Sequence, residues 1–267
     1  MCLIFLSLQQ HPKYKLILAA NRDEFYARKT DTASFWPGHK NILGGRDLEA
    51  MREDKTCGTW MAMTTTGKIA MVTNYRDFKN LKSIAPSRGH LVSDFLIGDT
   101  APTPYLQQVE KIKNDYNGFN LILGDVDNLF YLSNYKDGIE KLKPGSYGLS
   151  NALLQTPWPK VEQLKEKMIA TISQSSFTAG ELLNIMVNEE PAKDSDLPGT
   201  GIGLERERAL SSMFIKTNGY GTRCSTVILV TDSNEILFQE RTYNLNDFTF
   251  EDKKFQFLSG QDLLLEN

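Results

Sequence analysis

Paired apolar runs around short turns recur four times in this chain, and no other feature constrains its fold as strongly. Residues 3–8 and 15–20 flank a His11-Pro12-Lys13 turn, and residues 59–64 and 68–75 flank Thr65-Thr66-Gly67. Residues 119–123 and 129–133 enclose Gly124-Asp125-Val126-Asp127-Asn128, and residues 226–231 and 235–240 enclose Asp232-Ser233-Asn234. Each pattern predicts an antiparallel hairpin. Helical periodicity fills the intervals at 88–97, 104–116, 158–173, 178–188 and 205–214. Pro159 sits in a first turn, and Thr178-Ala179-Gly180-Glu181 is a capping box. Strand pairs at both ends and in the middle, with helices in two batches between them, predict an α+β, layered domain over residues 1–267.

Composition narrows the function class. Hydrophobic residues make up 40% and charged residues 24%, with a net charge of −3. There is no overall basic field to attract nucleic acid or an anionic membrane surface. The cysteines, Cys2, Cys57 and Cys224, are scattered and form no disulfide framework or C-x-x-C pair. The first apolar run ends at Leu8 and is followed at once by Gln9-Gln10, unlike a secretory signal. No apolar stretch approaches the ~18 residues of a transmembrane helix. A cytoplasmic chain without a membrane span is the expectation. His11, His39 and His90 are isolated, without metal-ligand spacing, so no metal is expected.

Cys2 offers the most specific chemistry. Methionine before a small residue is normally trimmed, which would make Cys2 the N-terminal residue. A cysteine so placed carries a thiol nucleophile and, in its own α-amine, a base with a pKa of about 7.7–8.0. Antiparallel pairing of the first two strands sets Asn21-Arg22-Asp23-Glu24 beside Cys2, so Asp23 is expected within reach of that amine. Asn74 and Asn151 lie at strand ends, where neutral amide donors suit a developing oxyanion. Arg223 leads into a strand and could fix a thiolate or a carboxylate. Asn21, Arg22 and Trp60 are the candidate substrate contacts. Gly199-Thr200-Gly201-Ile202-Gly203 lacks both a preceding strand and a Walker lysine, so a loop is expected there. Gly44-Gly45-Arg46-Asp47-Leu48 and Cys57-Gly58-Thr59-Trp60 look like glycine-hinged loops bounding a strand.

Taken in order, several spaced motifs resemble the Transport and Golgi organisation protein 2, or NRDE, family. They are Met1-Cys2, Asn21-Arg22-Asp23-Glu24, Gly45-Arg46-Asp47, Gly58-Thr59-Trp60, Thr73-Asn74-Tyr75-Arg76, Gly148-Leu149-Ser150-Asn151 and Tyr220-Gly221-Thr222-Arg223. That family is similar to N-terminal-nucleophile hydrolases, which implies a four-layer αββα sandwich of two antiparallel sheets. The choloylglycine and penicillin V acylase group implies roles for Cys2, Asp23, Asn74, Asn151 and Arg223. That group carries Gly-Arg-Asn-x-Asp where this chain has Ala20-Asn21-Arg22-Asp23. The displaced arginine is expected on the opposite strand face from the group's.

The favoured expectation is an N-terminal cysteine amidohydrolase acting on a linear, non-peptide amide without a cofactor. The alternative that the resemblance implies is a non-catalytic haem or lipid binding or trafficking protein, in which haem would be a ligand. The sequence supports that alternative little: it has no Cys-Pro motif and few histidines. The substrate's acyl and amine groups and the oligomeric state are not legible.

Overall fold

A computed structural model describes residues 2–260. Chain order begins β1 (Cys2–Leu8), β2 (Tyr14–Phe25), β3 (Thr30–Trp36), β4 (His39–Met51), β5 (Cys57–Gly58), β6 (Met61–Thr64) and β7 (Lys68–Asn74). Helices α1 (Gly89–Ile97) and α2 (Pro102–Ile112) follow, then β8 (Phe119–Asp125), β9 (Leu129–Ser133), β10 (Glu140–Lys141) and β11 (Gly145–Leu149). Next come α3 (Pro159–Ile172), α4 (Ala179–Ile185) and α5 (Leu204–Ala209). Strands β12 (Lys216–Thr217), β13 (Tyr220–Thr231), β14 (Glu235–Tyr243) and β15 (Phe250–Leu258) close the described chain.

Two antiparallel sheets result. One runs β11-β1-β2-β13-β14-β15, with β12 paired to β13; the other runs β10-β9-β8-β7-β6-β4-β3, with β5 paired to β4. Strand alternation explains how they stack. Ile4, Leu6, Leu16 and Leu18 of the first sheet share a core with Met63, Ile69, Met71 and Ile122 of the second. Their neighbours Leu3, Phe5, Ile17 and Ala19 turn the other way, onto Leu164 and Met168 of α3 and Leu182 of α4. On the far side, Ala70, Val72, Leu121 and Leu123 pack under Leu91, Val92 and Phe95 of α1 and Leu106 of α2. The layers are therefore helix, sheet, sheet, helix, as the α+β sandwich expectation requires.

All four expected hairpins form, and five helices start within two residues of the expected positions. The fifth helix stops at Ala209, short of the expected Phe214. Two local expectations are corrected. Asn21–Glu24 does not end the second strand but continues it to Phe25, with Asn21, Arg22 and Asp23 all buried. Gly44 and Gly45 lie within β4 rather than in a loop. They are glycines because neighbours crowd them. A Cβ at Gly44 would meet the Ala62 Cβ at 2.5 Å, and one at Gly45 would meet Trp60 Cη2 at 2.1 Å. Among the described residues no helix is long and apolar enough to cross a membrane.

Candidate active site

The site forms where β1 begins and β2 ends. Cys2 stands directly opposite Arg22, and Leu3 opposite Asn21. Directly opposed residues share a face, so Cys2 and Arg22 both point between the sheets. Ala20, two residues before Arg22, lies in the same inter-sheet core. This corrects the expected facing of the arginine. The group's arginine position corresponds to Ala20, three residues before Asp23, and positions two apart share a strand face.

Asp23, one step along, turns to the helix-covered side. There it faces Thr222, whose hydroxyl donates to its Oδ1 at 2.7 Å. A direct bond between the Cys2 and Asp23 side chains is therefore not the geometry. It is the Asp23 backbone N–H that reaches the Cys2 sulfur. The Cys2 and Asp23 side chains thus lie on opposite faces of the strand pair, which corrects the expectation that Asp23 stands beside the cysteine's reactive groups.

Cys2 lines a cleft of about 410 Å³ with Arg22, Asp23, Glu24, Trp60 and Asn74, which Arg88 closes from beyond β7. Burial pushes the thiol up from its ordinary value and the Asp23 charge adds to that, whereas Arg22 pulls it down. Burial also raises the Asp23 carboxyl, and the largest opposing influence after burial is Lys160. Glu24 goes the other way: its burial is outweighed by the positive charge of the chain's terminal amine, then by the Phe25 N–H and the Arg22 and Arg28 charges, and its pKa is lowered.

The remaining expected residues separate. Asn74 lines the cleft. Asn151 is buried behind it, donating through Nδ2 to the Asn74 carbonyl at 2.8 Å and accepting from Ser150 Oγ at 3.3 Å. Ser150 Oγ in turn donates to the Cys2 carbonyl at 3.2 Å. Asn151 thus positions Asn74 and the start of β1 and does not face the cleft.

Arg223 is also outside the cleft. It occupies a bulge between Thr222 and Cys224, which re-aims its side chain. Its Nη1 donates to the carbonyls of Phe25 at 3.0 Å, Tyr26 at 3.3 Å and Arg28. It braces the exit of β2 instead of holding the thiolate. Asn21, expected at a substrate, is fully used in the fold. Its Nδ2 donates to the Met186 and Met213 carbonyls, both at 2.9 Å, and its Oδ1 accepts from Ser225 Oγ at 2.6 Å. Trp60 does reach the cleft, with its ring 4.1 Å from the Arg22 guanidinium carbon.

Two basic residues escaped the sequence reading. Arg88 lines the cleft while its Nη1 donates to the Gly118 carbonyl at 3.0 Å. Lys160 is buried in the first turn of α3, with Nζ donating to the Leu210 carbonyl at 2.9 Å. Burial lowers its pKa to about 8, against the pull of Asp23. A signal existed: Lys160 begins the spacing Lys160, Leu164, Met168, Ile172, the buried stripe of α3. A lysine on an apolar stripe is a buried charge with something to balance.

Chemically, the arrangement offers a thiol, an arginine on the thiol's own face and an asparagine on the cleft wall, with a buried carboxylate on the opposite face of the same strand pair. Among known proteins, residues 1–245 match the model of a family described as Transport and Golgi organisation 2. The human Transport and Golgi organization protein 2 homolog is 38% identical over 281 residues, covering 96% of this chain and 99% of that protein. The Bos taurus homolog is 38% identical over 91% of this chain and 93% of its own length. The Drosophila melanogaster Transport and Golgi organization protein 2 is 29% identical over 91% and 92%. Among solved structures, a conjugated bile acid hydrolase from Clostridium perfringens aligns with a TM-score of 0.46 at 11% identity, covering 97% of this chain and 98% of that one. On the family match and these identities, the chain belongs to the Transport and Golgi organisation 2 family.

Proposed function

We propose that this protein is an N-terminal cysteine amidohydrolase of linear, non-peptide amides, with Cys2 as nucleophile once Met1 is removed. The observation that carries the reading is the place of Cys2: first in its strand, on the wall of a cleft, with Arg22 directly opposite on the same face.

The steps balance within the residues present. The α-amine of Cys2 takes the thiol proton as sulfur attacks the substrate carbonyl, forming an S–C bond and an oxyanion. The Asn74 amide donates to that oxyanion, with Asn151 holding the Asn74 backbone in place. The ammonium then gives its proton to the leaving nitrogen, the C–N bond breaks and a thioester remains. Water, deprotonated by the same amine, cleaves the thioester and restores the thiol. Asp23 orients the amine from the helix-covered face, and Arg22 stabilises the thiolate.

The test uses protein whose N-terminus is confirmed as Cys2 by intact mass. It is assayed against a panel of acyl amides for release of the amine, alongside Cys2→Ala. Turnover in the first sample and none in the second supports the reading. A panel on which both are equally silent, together with a shifted Soret band on haem titration, favours the binding-protein alternative.

A further inference from the structure

We propose that Arg22 is a specificity-determining residue: it selects ligands that carry a carboxylate, which it holds beside Cys2. This deepens the reading above, resting on the same cleft, but its test does not require turnover.

Arg22 is 4% exposed, and no ion pair to it is found among the described residues. Its Nη1 is wholly buried without a partner. An ionised side chain out of water costs several kcal/mol unless paired, and buried polar groups are rarely left unsatisfied. Trp60 covers one face of the guanidinium at 4.1 Å, but the N–H groups lie in its plane, so stacking does not satisfy Nη1. Trp60 is itself held in place by the absence of a Cβ at Gly45.

The other cations nearby are already engaged. Arg28 forks onto Asp47 at 3.0 and 2.9 Å, Arg88 donates to the Gly118 carbonyl, and Arg223 is braced on three carbonyls. Nearby carboxylates are engaged too. Glu24 Oε1 accepts from the Phe25 N–H at 2.9 Å, and the buried Glu240 Oε1 accepts from the Ala33 N–H at 2.6 Å. Neither forms an ion pair with Arg22. Among the described residues lining the cleft, Arg22 therefore presents a guanidinium with an unpartnered Nη1, on the face of the nucleophile. A planar fork of N–H donors matches a carboxylate.

The internal competitor for Arg22 is the Cys2 thiolate itself. Charge-selective alkylation separates the two roles, because iodoacetate and iodoacetamide react identically (thiolate forms the S–C bond, iodide leaves) and differ only in charge. The rate of each at Cys2 is read by mass spectrometry and compared with a free model thiol. The iodoacetate-to-iodoacetamide ratio is expected to exceed that of the model thiol by about tenfold, and to fall as salt is raised. Arg22→Met is expected to return the ratio to the model-thiol value, and Arg22→Lys to keep part of it.

An unraised ratio in the unmodified protein overturns the proposal without any variant. So does an Arg22→Met protein in which both reagents slow equally and the ratio persists, since Arg22 would then serve only the thiolate. Alkylation proceeds whether or not an amide is hydrolysed, so a failed hydrolase assay leaves this outcome readable.

Discussion

Cys2 and Cys224 both stand directly opposite Arg22, one from each flanking strand, so the three side chains share one face in the order Cys2, Arg22, Cys224. A whole strand separates the two cysteines. At about 4.8 Å per strand their Cα atoms lie about 10 Å apart, beyond the roughly 7 Å limit for a disulfide. Burial raises all three thiols, Cys224 most of all with the nearby Glu240 charge. Access rather than acidity then decides reactivity. Cys2 lines the open cleft, Cys224 only a recess of about 50 Å³, and Cys57 lines neither. A limiting dose of iodoacetamide at pH 7.5 is expected to give one adduct, mapping to Cys2. First labelling at Cys57 would show that the cleft does not govern access.

Gly45→Ala tests the support beneath Arg22. The new Cβ would fall 2.1 Å from Trp60 Cη2 and 2.9 Å from the Asp31 carbonyl, so the indole must leave its place. Overpacking of this kind costs about 1–3 kcal/mol. Urea unfolding is expected to show that loss, together with a shifted tryptophan emission. An unchanged emission spectrum would mean that Trp60 is not held where described.

The two asparagines are expected to fail differently. Asn74→Ala removes a group on the cleft wall, so under the proposed mechanism it lowers turnover about 10²–10³-fold with the melting temperature unchanged. Asn151→Ala deletes a buried donor and acceptor and leaves the Asn74 carbonyl unpaired, costing about 1–3 kcal/mol of stability besides. Equal stability for both variants would contradict the separation of their roles.

How much of this was legible follows from what each residue's surroundings contribute. The hairpins at β1–β2, β6–β7, β8–β9 and β13–β14 were readable because adjacent runs and tight turns are local. Strands β3 and β4 were not, because Gly44 and Gly45 read as hinges until Ala62 and Trp60 are seen crowding them. Cys2 and Asn74 could be placed at a site from strand ends alone. Asn21, Asn151 and Arg223 lost their expected exposure to partners up to about 200 residues away in the chain: Met213, Asn74 and Phe25. Such partners cannot be read from periodicity, which records which face a residue takes and not what covers it.

Lys160 gives a pH signature. Its pKa in the folded chain is about 8, below its ordinary 10.5. Between those values the unfolded chain holds the proton and the folded chain does not, so Lys160 makes stability rise with pH across that window. Below pH 8 it withholds about 3 kcal/mol, from roughly 2.5 units at 1.36 kcal/mol each. The raised cysteine and tyrosine groups act in the opposite direction, so the comparison is with Lys160→Met. From pH 7 to pH 10.5 the unmodified protein is expected to gain about 3 kcal/mol on the variant in guanidinium unfolding. A constant difference would place Lys160 outside the buried network with Asp23.

Processing of the N-terminus decides the last prediction. With Met1 retained, the Cys2 nitrogen is an amide and has no proton affinity to offer the thiol. No histidine lines the described cleft to replace it, and the thiol is already pushed up by burial. Even a free cysteine is only a few per cent thiolate at pH 7. Loss of a positioned general base costs about 10²–10⁴-fold in rate. Asp23 is no substitute, because its carboxylate lies on the helix-covered face with Thr222, away from the sulfur. Protein carrying Met1, or extra residues before it, is therefore expected to fold and melt like the trimmed form but to hydrolyse amides at least about a hundredfold more slowly. The check pairs intact mass with turnover on a single amide substrate, using two preparations from one sequence. Matching rates from trimmed and untrimmed protein would remove the α-amine from the mechanism, and with it the reason for a cysteine at position 2.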